Sequence, residues 1–541
     1  MSNTKRVFKR KGKPFYSLGG QSKNSSGYNE VESEAAFRVV KLLHGNTLEV
    51  PIYWNQVEPE EGNFDFTTVD MLLASARRHK VNLILLWFAT WKNGTMDYTP
   101  AWVKTNPQRF KRVMSPTGKT IWVLSSHCQA NFEADAKAFV AFCNHLKLKD
   151  NAEGTVIALQ VENEPGILGS DRDYGIEAQT MFDSPVPNEM VAFMKAAGKG
   201  QVYDLWQQAG GKTSGTWPEL FGWSAGELMS AWRIATYIDR VAEVGKATYD
   251  IPMYINAWQM EHRWHNPGED YPSGGAVRRV LDIYKWFTPH IDLIAPDIYI
   301  GDSKGYGSIC ASYSRTDNPF FVPESGSSIV SDGIMFRAIA EYNAIGYHVF
   351  GIEHILDENG SVRPRFQKLV DNFRCVAAMI PLLLEYQGTG KIQSIFQEEG
   401  MLSQLLNFDG YQGLIQFDDS LQPRISPTDW RHHPKQMMTR EDIPIEHGRG
   451  LVIQTSRNEF YLVGANCRLF LRPKLSPDRT FDVSFVSSYL LSRLGQYLNV
   501  DEGHFDKKGK FVVDRRRNGD ETDYGLWVEP DIGVLRVIMC D

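Results

Sequence analysis

The stretch that best indicates the fold is an apolar run that ends in acids, Ala158-Leu159-Gln160-Val161-Glu162-Asn163-Glu164-Pro165-Gly166. Its apolar residues predict a buried strand over residues 155–164, and the Pro-Gly pair ends that strand. Side chains alternate along a strand, so Glu162 and Glu164 are predicted to point to the same side. Carboxylates at the end of a buried strand are typical of an active site in a parallel α/β fold.

Seven further apolar segments alternate with amphipathic stretches between about residues 14 and 390. Several are nearly continuous in Val, Ile, Leu and Phe, as is typical of parallel strands covered on both faces. Eight such βα units predict an α/β fold, a (β/α)8 TIM barrel whose active site is built by the loops after the strands. The predicted strands are residues 15–20, 46–54, 81–91, 155–164, 252–258, 293–299, 320–324 and 347–353.

The pattern changes near residue 390. Short alternating runs then lie between Gly, Asn and Asp turns, and they predict a smaller β-rich, sandwich-like C-terminal domain. These runs are residues 451–454, 459–463, 468–471, 481–486, 511–513 and 534–539. We therefore predict a catalytic barrel over residues 1–390 and a β-rich domain over residues 391–541. A long insertion at residues 165–228 is predicted to hold an extra helical element, residues 188–208, and to wall the cleft.

Composition excludes several classes of function. The 541 residues carry 58 Lys+Arg and 65 Asp+Glu, a net charge of −7, which is too weak a field to gather nucleic acid or an anionic membrane. The longest apolar runs fall far short of the ~18 residues of a spanning helix. Six widely spaced cysteines indicate neither a metal cluster nor a disulfide scaffold. We predict a small neutral ligand and no metal or other cofactor, and the oligomeric state stays open, a homo-oligomer included.

The N-terminal segment bears on localisation. It is basic, and the residues after it are too few and too polar for the apolar core of a signal peptide. The sequence therefore predicts a cytoplasmic protein.

A second carboxylate follows the seventh predicted strand, in Phe320-Phe321-Val322-Pro323-Glu324. Tyr299 ends the sixth strand. Two acids that face each other across a cleft suit glycosidic bond cleavage, because one protonates the leaving oxygen while the other attacks the anomeric carbon. The 14 Trp, 22 Tyr and 29 Phe also suit a sugar-binding cleft, which uses flat ring faces.

These residues resemble the large barrel clan of retaining glycoside hydrolases. Two longer segments resemble the β-galactosidases of family 35 and their family 42 relatives: Trp54-Asn55-Gln56-Val57-Glu58-Pro59-Glu60-Glu61-Gly62-Asn63-Phe64-Asp65-Phe66, and the acid/base segment Gln160-Val161-Glu162-Asn163-Glu164 with Gly166. The resemblance covers about residues 14–355. It implies Glu164 as acid/base, Glu324 as nucleophile, Asn163 as a hydrogen-bond donor to the sugar 2-hydroxyl, and Tyr299 as a partner of the nucleophile.

The sequence also departs from the family pattern. Typical β-galactosidases read Ala-Glu-Trp where this chain reads Ala89-Thr90-Trp91, so a carboxylate that binds galactose hydroxyls is absent. Pro51 and Pro165 stand where the family has aromatic residues. The predicted function is a retaining exo-β-glycosidase, β-galactosidase-like, that acts on oligosaccharides or small glycosides. The alternatives are the same mechanism with another glycone, such as glucose, fucose or arabinose, and a catalytically silent carbohydrate-binding barrel protein.

The remaining predictions concern the sugar subsite and the charges. A retaining mechanism places the two carboxyl groups ~5–5.5 Å apart, with Glu324 ionised and Glu164 protonated near neutral pH. Tryptophans at strand ends are predicted to form the sugar platform, and nearby polar side chains are predicted to bind its hydroxyls. The platform residues are Trp54, Trp91 and Trp258, and the hydroxyl partners are Asn93, Gln259, His262, Glu353 and His354.

Overall fold

The structure, a computed structural model, describes residues 7–260, 265–328, 333–417, 447–474, 496–522 and 525–540. Its N-terminal part contains one sheet of eight strands that pair in parallel. The strands are β1 (Ser17–Gln21), β2 (Thr47–Tyr53), β3 (Asn82–Lys92), β4 (Val156–Asn163), β5 (Met253–Trp258), β6 (Leu293–Ile298), β7 (Glu324–Ser325) and β8 (Gly346–Phe350).

The sheet closes into a barrel. Its strand order is β7-β6-β5-β4-β3-β2-β1-β8, and a parallel bridge from Val322 to Tyr347 joins the two ends. The principal helices after the strands are α1 (Glu30–Leu42), α2 (Thr67–His79), α3 (Gln129–Asp150), α4 (Ala225–Thr248), α5 (Leu281–Phe287), α6 (Ser303–Tyr313), α7 (Met335–Ala340) and α8 (Gln367–Tyr386). The predicted (β/α)8 barrel is confirmed, with the strands within a few residues of their predicted positions.

The strands are apolar because both of their faces are covered. Every residue of β2, β3 and β4 is buried. Along β3, Leu85 and Trp87 pack in the layer between strands and helices, whereas Ile84, Leu86 and Phe88 pack in a separate cluster inside the barrel. This alternation explains the continuous apolar run, since neither face of the strand meets water.

Smaller elements complete the N-terminal part. The predicted helical element at residues 188–208 is two helices, because Gly198 and Gly200 have φ of 62° and 110° and interrupt it. The insertion helices are Ile176–Phe182, Asn188–Ala197, Gln201–Gln208 and Trp217–Phe221. Other short helices are Trp54–Val57, Ala101–Lys104, Gly222–Ser224, Ile352–Ile355 and Pro364–Phe366. Two hairpins pair Lys9–Arg10 with Lys13–Pro14 and Arg112–Met114 with Thr120–Leu124.

The C-terminal part consists of two antiparallel sheets that enclose an apolar core. The strands are β9 (Ile392–Phe396), β10 (Ser403–Asn407), β11 (Tyr411–Phe417), β12 (Arg449–Ser456), β13 (Glu459–Ala465), β14 (Cys467–Pro473), β15 (Tyr497–Phe505), β16 (Phe511–Arg516), β17 (Leu526–Val528) and β18 (Val534–Met539), with short helices at Gly519–Glu521 and Pro530–Ile532. One sheet has the order β9-β12-β13-β18-β15-β16 and the other β10-β11-β14-β17. The predicted β-rich architecture is confirmed, while the predicted strand at residues 481–486 lies outside the described residues.

The barrel and the sandwich pack on each other through α7, which contacts β9 and β12, and through α8, which contacts β12, β13, β15 and β18. Leu451, Ile453 and Val463 of the six-stranded sheet belong to the same apolar cluster as the outer layer of the barrel. The division at residues 390 and 391 stays a prediction. Within the described part of the chain, no helix is both long enough and apolar enough to span a membrane.

Candidate active site

A cavity of about 340 Å³ opens at the carboxyl ends of the barrel strands. All strands except β2 contribute to its wall, either by residues near their carboxyl ends or by the residues that follow them. The lining residues are Asn24, Lys92, Asn93, Glu164, Trp258, Gln259, Asp297, Tyr299, Glu324 and Phe350. Six of the residues predicted from the sequence are therefore brought together here: Asn93, Glu164, Trp258, Gln259, Tyr299 and Glu324.

Glu164 follows β4 and is 5% exposed. Its backbone has a left-handed conformation, with φ of 43°, and its N–H donates to Asn256 Oδ1 at 2.8 Å. The Asn93 side-chain amide donates to its carboxyl group. Burial raises the pKa of Glu164, and the nearby Lys92 ammonium opposes that rise. The raised pKa suits a group that has to hold a proton near neutral pH.

Glu324 begins β7 and is 7% exposed. The Tyr299 hydroxyl donates to its Oε1, and Gln21 Nε2 donates to its Oε2 at 2.8 Å. Burial, with a further contribution from the charge of Glu164, raises the pKa of Glu324 to about 7, although Lys92 and the Tyr299 hydroxyl lower it. Both carboxylate oxygens thus have a fixed donor, which orients the group toward the cavity.

Four polar residues of this site were missed by the sequence analysis: Gln21, Asn24, Lys92 and Asp297. Asp297 is 1% exposed and pairs with Glu324 in the register of β6 and β7. The sequence carries a signal for it, because Asp297 precedes Tyr299 by two residues and alternate residues of a strand share a face. Lys92 ends β3 and is 6% exposed, but it directly follows Trp91 and no motif marks it.

The structure corrects the predicted orientation of Glu162. Its backbone φ is 63°, so the regular alternation of the strand fails there. Glu162 is fully buried, and its Oε2 accepts the Trp91 N–H at 2.7 Å instead of facing the cavity. Asn163 is also fully buried and does not line the cavity. Its side-chain amide has no hydrogen-bond partner among the described residues.

Two of the three predicted platform residues are wrong. Trp54 is fully buried in the core, where its indole N–H donates to Glu58 Oε2 at 3.0 Å. Trp91 is also fully buried, with its ring edge-on to Tyr237 of α4 at 5.0 Å. Neither ring exposes a face, because each occupies the apolar layer around the barrel. Trp258 alone of the three lines the cavity.

The remaining predicted subsite residues lie elsewhere. Glu353 and His354 belong to a short helix after β8 and do not line the cavity. Glu353 accepts the Lys23 N–H at 3.0 Å, and the His354 ring packs beside Phe366 at 5.7 Å. His262 lies outside the described residues. In the described ranges, no three His, Cys, Asp or Glu side chains are grouped so as to hold a metal ion.

Comparisons with known families place two segments of the chain. Residues 27–206 match the family model of glycoside hydrolase family 42, described as β-galactosidase. Residues 369–529 match a model described as a domain of unknown function, DUF5597. Among curated proteins, a β-galactosidase of Xanthomonas manihotis is 29% identical over 182 residues, which cover 32% of this chain and 28% of that protein.

Solved structures with a similar course of the chain include two β-galactosidases. The enzyme from Bacillus circulans sp. alkalophilus gives a TM-score of 0.47 at 13% identity, over 70% of this chain and 58% of that one. A catalytic mutant of a family 42 β-galactosidase from G. stearothermophilus gives a TM-score of 0.47 at 16% identity, over 71% of this chain and 58% of that one. The chain thus spans less than two thirds of the length of each of these relatives. In its N-terminal part, this (β/α)8 chain resembles the β-galactosidases of glycoside hydrolase family 42.

Proposed function

We propose that the protein is a retaining exo-β-glycosidase that cleaves the terminal sugar of small β-glycosides by double displacement. The observation that carries the proposal is the pair of buried carboxyl groups, Glu164 after β4 and Glu324 on β7, in the wall of one cavity. The cavity volume of about 340 Å³ lies at the lower end of the ~300–1,000 Å³ typical of ligand pockets, which suits a single sugar ring.

In the proposed first step, the Glu324 carboxylate attacks the anomeric carbon while Glu164 gives its proton to the leaving oxygen. The donors Tyr299 and Gln21 support this role, because they hold the Glu324 carboxylate in one orientation. In the second step, Glu164 removes a proton from water and the hydroxide displaces Glu324 from the sugar. The cytoplasmic location stays a prediction of the sequence, and the oligomeric state stays open.

A β-galactosidase-like specificity is supported by the match of residues 27–206. A second candidate, the same chemistry with another glycone, is favoured by Thr90. This residue stands where β-galactosidases carry a glutamate, and its hydroxyl is committed to Asp135 at 2.8 Å in the buried layer outside the cavity. Rates on a panel of nitrophenyl β-galactoside, β-glucoside, β-fucoside and α-arabinoside separate the two candidates.

The mechanism is tested on whichever glycoside is cleaved best. Proton NMR of the first-formed anomer should show retention, and an inverted product would exclude double displacement. Glu324→Gln should abolish turnover. Binding of the sugars without turnover by the wild-type protein would favour the carbohydrate-binding alternative instead.

Glu164→Gln should lose about 10²–10⁴-fold in kcat/KM, which reports the first step, on a glycoside with a poor leaving group, because that is what a general acid contributes. The loss should be much smaller for a dinitrophenyl glycoside, whose leaving group departs without a proton. Glu227→Gln is the matched control, since Glu227 is equally buried, at 2% exposed, but does not line the cavity. Equal losses of Glu164→Gln on both leaving groups would contradict the acid role.

A further inference from the structure

Asn256 of β5 connects two carboxyl residues of the cavity. It is fully buried, its Oδ1 accepts the Glu164 N–H at 2.8 Å, and its Nδ2 donates to Asp297 Oδ2 at 2.8 Å. Because the carbonyl end of the amide is taken by the Glu164 backbone, its NH2 end has to face Asp297. One side chain therefore holds the backbone of Glu164 and the carboxyl group of Asp297 at a set distance from each other.

The carboxyl groups of Asp297 and Glu164 also lie within hydrogen-bonding reach of each other. Asp297 Oδ1 has no amide or hydroxyl donor in the described part of the chain. An ionised carboxylate is an acceptor only, so two carboxyl groups can share a hydrogen bond only if one of them carries a proton. The contact between Asp297 and Glu164 therefore requires one proton for the pair.

The surrounding charges favour retention of that proton. Asp297 lies beside Glu324 in the sheet register, and both groups are almost fully buried. Lys92 is the one cation among the lining residues of the cavity. Like charges and burial both disfavour a second ionisation of the pair. The titratable groups that face the pair from the barrel strands are Glu49, Lys92, Tyr254, Tyr299 and Glu324.

We propose that Asp297 is a positioning residue that shares the catalytic proton with Glu164, and that Asn256 holds this pair together. The inference rests on the function proposed above for Glu164. When the glycosidic bond breaks, its electron pair stays on the leaving oxygen, which takes the proton of the pair, while Glu324 forms an ester with the anomeric carbon. The pair gains one negative charge as Glu324 loses one, so the net charge of the cavity is unchanged by the step.

The first test is the pH profile of kcat/KM for Asp297→Asn. Asp297→Asn removes one of the two carboxyl groups that share the proton, so the proton should leave the remaining Glu164 more easily and the upper limb should move to lower pH by about one unit or more, with little change in KM. Asp292→Asn is the matched control, because Asp292 lies just before the opposite end of β6 and pairs with Lys246 at 2.6 Å. A lower kcat with an unmoved upper limb would show a merely structural role and overturn the proposal.

The second test needs no turnover. Isotope-edited infrared spectra of protein labelled with ¹³C in the Asp and Glu carboxyl groups follow each carboxyl proton as the pH is raised. One carboxyl proton should be lost at lower pH in Asp297→Asn than in the wild-type protein, and the same shift is expected in Glu164→Gln. The Asp292→Asn spectrum should match the wild type. If neither variant moves that titration, no proton is shared.

The two tests separate the failure of this proposal from that of the proposed function. If the infrared spectra show a shared proton but the protein cleaves no glycoside, the proton-sharing pair is supported and the proposed glycosidase function is refuted. If Asp297→Asn does not fold, the infrared titration of Glu164→Gln tests the proposal by itself, because Asp297 is then the one carboxyl group of the pair that is left to titrate.

Discussion

At the residue scale, Glu324 balances two opposed influences. Its carboxylate receives hydrogen bonds from Tyr299 and Gln21, which stabilise the charged form. Burial and the neighbouring Glu164 favour the neutral form, and the result is a pKa of about 7. A nucleophile has to be ionised, so this pKa sets the lower pH limit of the proposed reaction.

The expected outcome is a lower limb of kcat/KM near pH 7, below which the rate falls about tenfold per pH unit as Glu324 takes up a proton. Tyr299→Phe should move this limb to higher pH, because it removes a donor that favours the carboxylate. Tyr284→Phe is the control, since its buried hydroxyl donates to the Gly274 carbonyl at 2.7 Å and does not reach the cavity. An unmoved limb in Tyr299→Phe would contradict the role given to its hydroxyl.

The residues that sequence reasoning identified correctly as lining the cavity are those at the strand ends with a motif around them, such as Glu164 and Glu324. Trp54 and Trp91 also stand at or beside strand ends, yet their rings lie in the core. The direction of a side chain at a strand end depends on the local backbone, and that depends on contacts between strands.

At the element scale, the junction of β3, β4 and α3 shapes the site. The register of β3 and β4 passes from Trp87 opposite Val161 to Lys92 opposite Asn163, so residues 88–91 lie opposite Glu162 alone. The Glu162 carboxyl accepts the Trp91 N–H and lies within hydrogen-bonding reach of Asp135 of α3. This contact also requires a proton. Burial and the charge of Asp135 raise the pKa of Glu162, so Glu162 is the group that holds it.

Glu162→Gln should therefore be tolerated, because the amide can donate to Asp135 and accept from Trp91 as the protonated acid does. Glu162→Ala should cost roughly 2–4 kcal/mol of unfolding free energy, since it leaves buried polar groups without partners. Urea denaturation at pH 6 measures both changes. An equal loss in the two variants would show that the side chain acts by volume and not by its hydrogen bonds.

The pair of Glu162 and Asp135 also predicts the direction in which stability changes with pH. The folded protein keeps the Glu162 proton at pH values where the unfolded chain has released it, so this residue destabilises the wild type as the pH rises above the usual range of glutamate. The difference in unfolding free energy between Glu162→Gln and the wild type should change in favour of the variant as the pH is raised from 5 to 8. A constant difference would mean that Glu162 is ionised in the fold.

At the scale of the whole molecule, the barrel and the sandwich share apolar surface. Leu451 of β12 is fully buried in the cluster that also contains the outer layer of the barrel, whereas Leu469 of β14 packs only in the core between the two sheets. A protein built in this way is expected to lose barrel stability when the sheet face that packs on the barrel is damaged.

Leu451→Ala should cost about 2–5 kcal/mol and should lower the midpoint of unfolding of the barrel itself. Tryptophan fluorescence reports on the barrel, because only Trp430 and Trp527 of the 14 tryptophans follow residue 390. Leu469→Ala is the matched control, and it should affect the barrel signal less. If Leu451→Ala leaves the fluorescence transition unmoved, the two parts unfold independently.

The sequence by itself determined the barrel, the β-rich C-terminal part and the strands that end in Glu164 and Glu324. Burial on both faces forces a strand to be apolar throughout, and the signal is therefore local. Only the tertiary structure decided that Glu162 turns away from the cavity, that Trp54 and Trp91 lie in the core, and which residues complete the site. Asp297, Lys92 and Gln21 come from strands far apart in the chain. Their contacts with Glu164 and Glu324 depend on the closure of the barrel, which no single segment encodes.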